Sequence, residues 1–328
     1  MFEEHRQLVE MVRTLSREVR DAVRPLMGTA RARGSSGSGA TGDTTFAIDE
    51  VAERVVEAFL GELGDVGYYT EDRGLVVLGR PRHLLVIDPI DGTRPAAAGL
   101  ESCCVSIAVA PFPPAGPAAA GVESLNLGDV FLGLLTEIKN DASYLAVRGA
   151  GASLEVDGTP AYPSLSTRVD PGGMFWNAGF RGRPAEPLVT VIGELIDLTS
   201  VDGGCFDLGS ATFCIARVLT GEMDAYVDVG QRMVEEVEPV RRVFEQVGHG
   251  AILNNYPYDL AAAALVASES GATVTDAYGG PLWDRPLVPS GGGGQLSSLV
   301  TGNAALHGQV LAEVDRGIER LKARYGVK

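Results

Sequence analysis

The chain lacks most of what would tie it to a membrane, a nucleic acid or a disulfide framework. No uninterrupted apolar stretch reaches the ~18 residues expected of a membrane helix. Met1 to Arg20 is rich in Glu and Arg and has no apolar core of a secretory leader, so the expected location is the cytoplasm. Basic charge is scarce: 27 Lys and Arg face 43 Asp and Glu, for a formal net charge of −16. That balance argues against a nucleic-acid polymer as partner, because proteins that track phosphate backbones need basic stripes. A small phosphorylated substrate remains compatible, since bound Mg²⁺ reverses the local field at an acidic site. The four cysteines, Cys103, Cys104, Cys205 and Cys214, show no C-x-x-C spacing. Buried free thiols are expected rather than a zinc site or disulfides. No internal repeat is present.

What is present describes an ordinary globular chain of 328 residues, 45% hydrophobic and 21% charged, long enough for one large domain or two modest ones. Leu8, Val12, Leu15, Val19, Val23 and Leu26 recur at helical spacing and predict an amphipathic helix over residues ~5–27. Arg33 to Ala40, rich in Gly and Ser, reads as a mobile loop. A second helix begins near Asp49. Val66 to Thr70 and Leu84 to Ile87 read as strands, and Ser102 to Val147 as an antiparallel meander with a turn-rich connection at Pro111 to Pro117. From about Thr190 helices and strands alternate. The chain loosens at Gly291 to Gly294 and closes with a helix from about Ala304 to Arg324. Residues 1–185 are expected to form an α+β part and residues 186–328 an α/β part, with the site between them.

The densest chemistry lies in Asp88-Pro89-Ile90-Asp91-Gly92-Thr93, directly after the apolar run Leu84 to Ile87. Two acids at a buried strand end are poor core material and good ligands for a hard cation such as Mg²⁺. Gly92 and Thr93 open a tight turn whose backbone N–H groups can cradle an anion. Together they offer what metal-assisted phosphate chemistry requires. Glu71-Asp72 follows a strand, while Asp49 and Asp259 stand at helix starts, where Asp is also a common N-cap.

These motifs resemble the inositol monophosphatase superfamily, which includes fructose-1,6-bisphosphatases and 3′-nucleotide phosphatases. The Asp88 to Thr93 segment matches its first signature. Tyr258-Asp259-Leu260-Ala261-Ala262, with Glu269 to Ala272 and Asp276, resembles its second. The resemblance runs from about Leu8 to Leu311 and implies a layered αβαβα sandwich, the sugar phosphatase fold. It implies Mg²⁺, two or three ions per site, with Glu71, Asp88 and the Ile90 carbonyl at one ion and Asp88, Asp91 and Asp259 at another. Thr93, Asp49 and Asp72 would orient and deprotonate the attacking water. Gly92 and Thr93 would hold the phosphate, with Gly209, Ser210 and Ala211 lining the pocket and Asp228 contacting substrate hydroxyls. The implied activity is hydrolysis of a sugar or cyclitol phosphate, by a homodimer as is the family's habit. Fructose-1,6-bisphosphate, a 3′-phosphonucleotide or a non-catalytic binding role are the alternatives.

Four departures bear on the substrate. Arg94-Pro95 follows the first signature, and Arg94 reaches either a second substrate anion or a surface acid. Asp259 stands 31 positions after Asp228, and Met233 to Asn254 reads as a helix-and-strand insertion beside the pocket. Tyr258 stands where the family has Trp, and Asp72 where it has Glu.

Overall fold

The computed structural model describes residues 5–38, 44–113, 121–289 and 293–327. Parts of three sequence expectations, in the Gly/Ser loop, the Pro111 to Pro117 connection and the Gly291 to Gly294 run, lie outside them.

The amphipathic spacing at the start becomes the helix Arg6–Val23, which buries Val9, Val12, Leu15, Val19 and Val23. The helix Ala47–Leu63 packs beside it and buries Ile48, Ala52, Val56 and Leu60. Both cover one face of an eight-stranded sheet. Its strands, from one edge to the other, are Thr159–Ala161, Gly151–Val156, Ala142–Val147, Leu132–Glu137, Cys104–Pro111, His83–Asp91, Gly67–Thr70 and Gly74–Val77. All neighbours are antiparallel except Gly67–Thr70 beside His83–Asp91. Strand alternation then sorts the apolar run: Leu85 and Ile87 face the two helices, while Leu84 and Val86 face the opposite side.

On that opposite side lie the helices Ala211–Leu219 and Pro257–Glu269. The second is apolar all round, with Leu260 through Ala267 buried, as a helix pressed between two sheets must be. Beyond it stands a five-stranded sheet ordered Gly204–Phe206, Phe175–Ala178, Ala225–Asp228, Ser298–Thr301 and Thr273–Thr275. Its outer face packs on Ala185–Leu198, Ala304–Tyr325 and the pair Gly230–Glu236 and Glu238–Val247. The layers therefore run αβαβα, each sheet buried on both faces.

Three local expectations change. Phe175–Ala178 already belongs to the second sheet, so the change of sheet falls between Ala161 and Phe175 rather than at residue 185. The 233–254 insertion is helical without a strand, and its Met233, Val237, Val240 and Phe244 are core residues that cover the second sheet. Ser35–Ser38 is not a free loop but pairs antiparallel with Thr44–Phe46, because ladder hydrogen bonds need only backbone.

The middle helix approaches the first sheet closely at Gly133. A Cβ there would lie 2.9 Å from the Ala262 carbonyl oxygen and 3.2 Å from its Cα, both backbone atoms. Gly133→Ala should therefore lower stability by about 1–3 kcal/mol, the usual cost of overpacking. A urea unfolding midpoint unchanged from wild type would refute that close approach.

Candidate active site

Asp88 and Asp91 are three residues apart, and on a regular strand an odd separation puts side chains on opposite faces. The pairing of His83–Asp91 with Cys104–Pro111 resolves this. Asp88 pairs with Ser106 and Asp91 with Cys104, so three steps on one strand match two on the other. This β-bulge moves Asp91 to the face of Asp88 and sends Ile90 to the far side, where it joins Leu85 and Ile87 in the outer core. Both acids now point toward the middle helices.

Asp259 meets them there. It is the third residue of the helix Pro257–Glu269, and one of its oxygens accepts the Tyr256 N–H at 2.6 Å. Asp49 repeats the arrangement in Ala47–Leu63, accepting the Phe46 N–H at 2.8 Å. In each, one carboxylate oxygen caps the helix and the other is left for the site, so the capping and functional readings hold together. Asp88, Asp91 and Asp259 offer oxygens within 4.8 Å of one another, the one such acidic trio found among the described residues.

The surroundings hold these acids firmly. Asp88 accepts the Ile90 N–H at 2.9 Å. Asp91 accepts from Ser210 Oγ at 2.8 Å, from the Thr212 N–H at 2.6 Å and from the Thr212 hydroxyl. Ser210 also caps Ala211–Leu219, so that helix start is keyed to Asp91. Thr212 went unnoticed in the sequence, although it directly follows Ser210-Ala211.

Burial, then the fields of Asp91, Asp259 and Glu71, raise the Asp88 carboxyl well above its usual range. Burial and Asp91 push Asp259 up to about 7. Half-buried Glu71 stands outside the trio, yet desolvation and the charges of Asp259 and Asp49 raise it as well. Asp49 is raised to about 7 by burial, opposed by hydrogen bonds from Phe46 and Thr93. Thr93 also donates to the Ile90 carbonyl at 3.2 Å, and Asp72 accepts from Thr45 Oγ1 at 2.7 Å. All-oxygen donors that repel one another suit a hard divalent cation, which would relieve the repulsion. The donor set fits Mg²⁺.

Gly92 caps the six-residue helix Thr93–Ala98 with φ of +96°. A Cβ there would stand 2.5 Å from the Ser102 carbonyl oxygen and 2.9 Å from Ser210 Cβ, so only glycine fits. Arg94 lies over the Phe46 ring at 5.5 Å, within the field of Glu71 and Asp49.

A model of the inositol monophosphatase family matches residues 4–319. The chain belongs to that family. The "Fructose-1,6-bisphosphatase/inositol-1-monophosphatase" of Methanothermobacter thermautotrophicus is 26% identical over 92% of this chain and 94% of its own length. An inositol-1-monophosphatase of Mesorhizobium japonicum is 25% identical over 84% of each. A solved Thermotoga maritima IMPase superposes with a TM-score of 0.64 at 19% identity, covering 96% of this chain and 99% of that one, which shows the shared fold. The phosphatase is thus a phosphoric monoester hydrolase.

One expected substrate residue requires correction. Asp228 is fully buried and bound by Arg183, by Asn255 Nδ2 at 2.8 Å and by the Gly230 N–H at 2.9 Å. Its carboxylate is committed within the protein. Gly209, Ser210 and Ala211 do line the hollow next to Asp91 and Asp259, together with Asn177, Arg181 and Asp207, which sequence patterns did not single out.

Asp49 and Asp259 carry raised folded pKa values, so the folded metal-free protein binds more protons than the unfolded chain between about pH 4 and 7. Its stability should be greatest below pH 4 as far as these groups act, and fall as pH rises through 7. Mg²⁺ should cancel the trend, because it needs the ionised ligands. Melting temperatures from pH 5 to 8, with and without Mg²⁺, check this; parallel curves would contradict it. Thr212→Val, which removes a hydroxyl from Asp91, should weaken Mg²⁺ binding by ~10–100-fold in a calorimetric titration.

Proposed function

We propose that the phosphatase hydrolyses a small phosphate monoester, a sugar or cyclitol phosphate, with Mg²⁺ and an attacking water. The observation that carries this reading is the bulge that gathers Asp88, Asp91 and Asp259 on one face. Glu71, Asp88 and the Ile90 carbonyl would hold one ion, and Asp88, Asp91 and Asp259 a second, with Glu71 beside a looser third. Bound Mg²⁺ supplies charge neutralisation and Lewis acidity to phosphoryl transfer.

The chain's own groups divide the remaining work. Asp49, hydrogen-bonded to Thr93, would take a proton from the attacking water. Asp72, tied to Thr45, borders that position. The N–H groups of Gly92 and Thr93, at a helix start, would hold phosphoryl oxygens and keep the phosphorus in line with the water. No side-chain nucleophile is needed, and the buried cysteines, whose thiols burial raises, offer none.

Phosphate release from a panel of sugar, cyclitol and nucleotide phosphates tests the reading. Release should require Mg²⁺. Asp91→Asn should cost more than the ~10–100-fold typical of losing an outer-shell partner. Equal release with and without Mg²⁺, or full activity in the variant, would defeat it.

A further inference from the structure

Glu53 is a buried carboxylate that the fold leaves without a partner. It lies on the buried face of Ala47–Leu63, one turn beyond Asp49, and is 2% exposed. Neither of its oxygens has a hydrogen-bond partner. The Thr70 hydroxyl stands near enough to favour the ionised form without closing a bond, and burial pushes the carboxyl up to about 7. An unpaired buried acid costs stability, so the space beside it is informative.

That space is a polar hollow of ≈ 260 Å³, lined by Glu53 together with Glu50, Arg54, Asp72 and Arg73, and by Gly37 and Thr45. Asp49, Glu71, Asp88, Asp91 and Asp259 are not among its lining residues, so it is a second acidic place and not an edge of the first. Both of its guanidinium groups are engaged by other acids. Arg73 is paired with Glu57 at 2.6 Å, and Arg54 donates to the Glu50 carbonyl at 2.9 Å with its guanidinium 4.0 Å from that residue's carboxylate. Asp72 accepts only a neutral donor, Thr45 Oγ1. Four carboxylates, those of Glu50, Glu53, Glu57 and Asp72, thus stand against two guanidinium groups. The surplus is the charge that one divalent ion neutralises.

We propose that this hollow binds a divalent cation that keeps part of its water shell, with Glu53 and Asp72 as its carboxylates, apart from any ion at the acidic trio or beside Glu71. The inference does not depend on the phosphatase reading. Glu50, Glu53 and Asp72 do not converge within 4.8 Å as the trio does, so the ion would meet some of them through water. The hollow has room for several waters at about 30 Å³ each, and Mg²⁺, which dehydrates reluctantly, suits such a site. Gly37 and Thr45 bring the paired strands Ser35–Ser38 and Thr44–Phe46 to the same space. An ion there would join those strands to Ala47–Leu63 and to the turn after Gly67–Thr70.

Mn²⁺, a paramagnetic stand-in for Mg²⁺, tests the proposal when free ion is counted by electron paramagnetic resonance during titration of wild type, Glu53→Gln, Glu50→Gln and Asp91→Asn. Glu53→Gln keeps the shape and removes the charge. It should lose one bound ion, or hold it more than about 10-fold more weakly, with the other ions unchanged. Asp91→Asn should lose affinity at the trio and keep this ion, and Glu50→Gln, at the exposed rim, should weaken it by a smaller factor. Above the Glu53 pKa, at about pH 8, metal-free Glu53→Gln should melt no lower than wild type, and Mn²⁺ should raise its Tm by less. Equal ion counts and affinities in wild type, Glu53→Gln and Glu50→Gln would overturn the inference and leave Glu53 a carboxyl that stays protonated in the core. Loss of every bound ion in Asp91→Asn would overturn it as well. Should Glu53→Gln not fold, Glu50→Gln decides alone, and an affinity unchanged from wild type there overturns the site. A wild type that holds this ion yet releases no phosphate would remove the phosphatase reading only.

Discussion

Mutual repulsion among buried and half-buried carboxylates is the constraint around which this molecule is arranged. Asp88, Asp91, Asp259 and Glu71 stand where desolvation and neighbouring negative charge both oppose ionisation. Such a cluster persists only where the surrounding structure over-determines it. Here the strand bulge, two helix starts and the Ser210 and Thr212 donors do so. The Ala-rich middle helix follows from the same need: small side chains let its start, with Asp259, come close enough to the sheet that carries Asp88 and Asp91. Such a cluster suits a divalent cation, which would relieve the repulsion.

Legibility from sequence followed locality. Asp88 to Thr93 is one contiguous stretch whose residue types state their chemistry, and the layered fold could be expected from the family resemblance. The Asp259 helix was legible because its small apolar residues leave few other readings. Asp228 was not, because its partner Arg183 is 45 positions away and no local pattern announces a buried ion pair. Arg181 was missed for a similar reason: an arginine between Gly179 and Gly182 reads as a surface turn until the hollows around it are known. The insertion misled differently. Its place in the sequence suggests a position beside the pocket, whereas its apolar stripe of Met233, Val237, Val240 and Phe244 decides where it packs.

The two halves of the site have different structural dependencies. The acids and the glycine turn belong to the first sheet and the middle helices, where a shift of an ångström would part the ligands. Arg181 belongs to a loop of the second sheet, braced by Arg183 against Asp228 and Leu253.

That separation gives the Arg183–Asp228 pair its physical significance. A buried ion pair seldom adds much net stability, because desolvation offsets most of the attraction. Its value here is geometric. By drawing the Arg181 and Leu253 carbonyls to one guanidinium, it fixes a glycine-flanked turn that would otherwise sample many conformations. One buried contact therefore ties the end of strand Ala225–Asp228 to this turn and to Leu253.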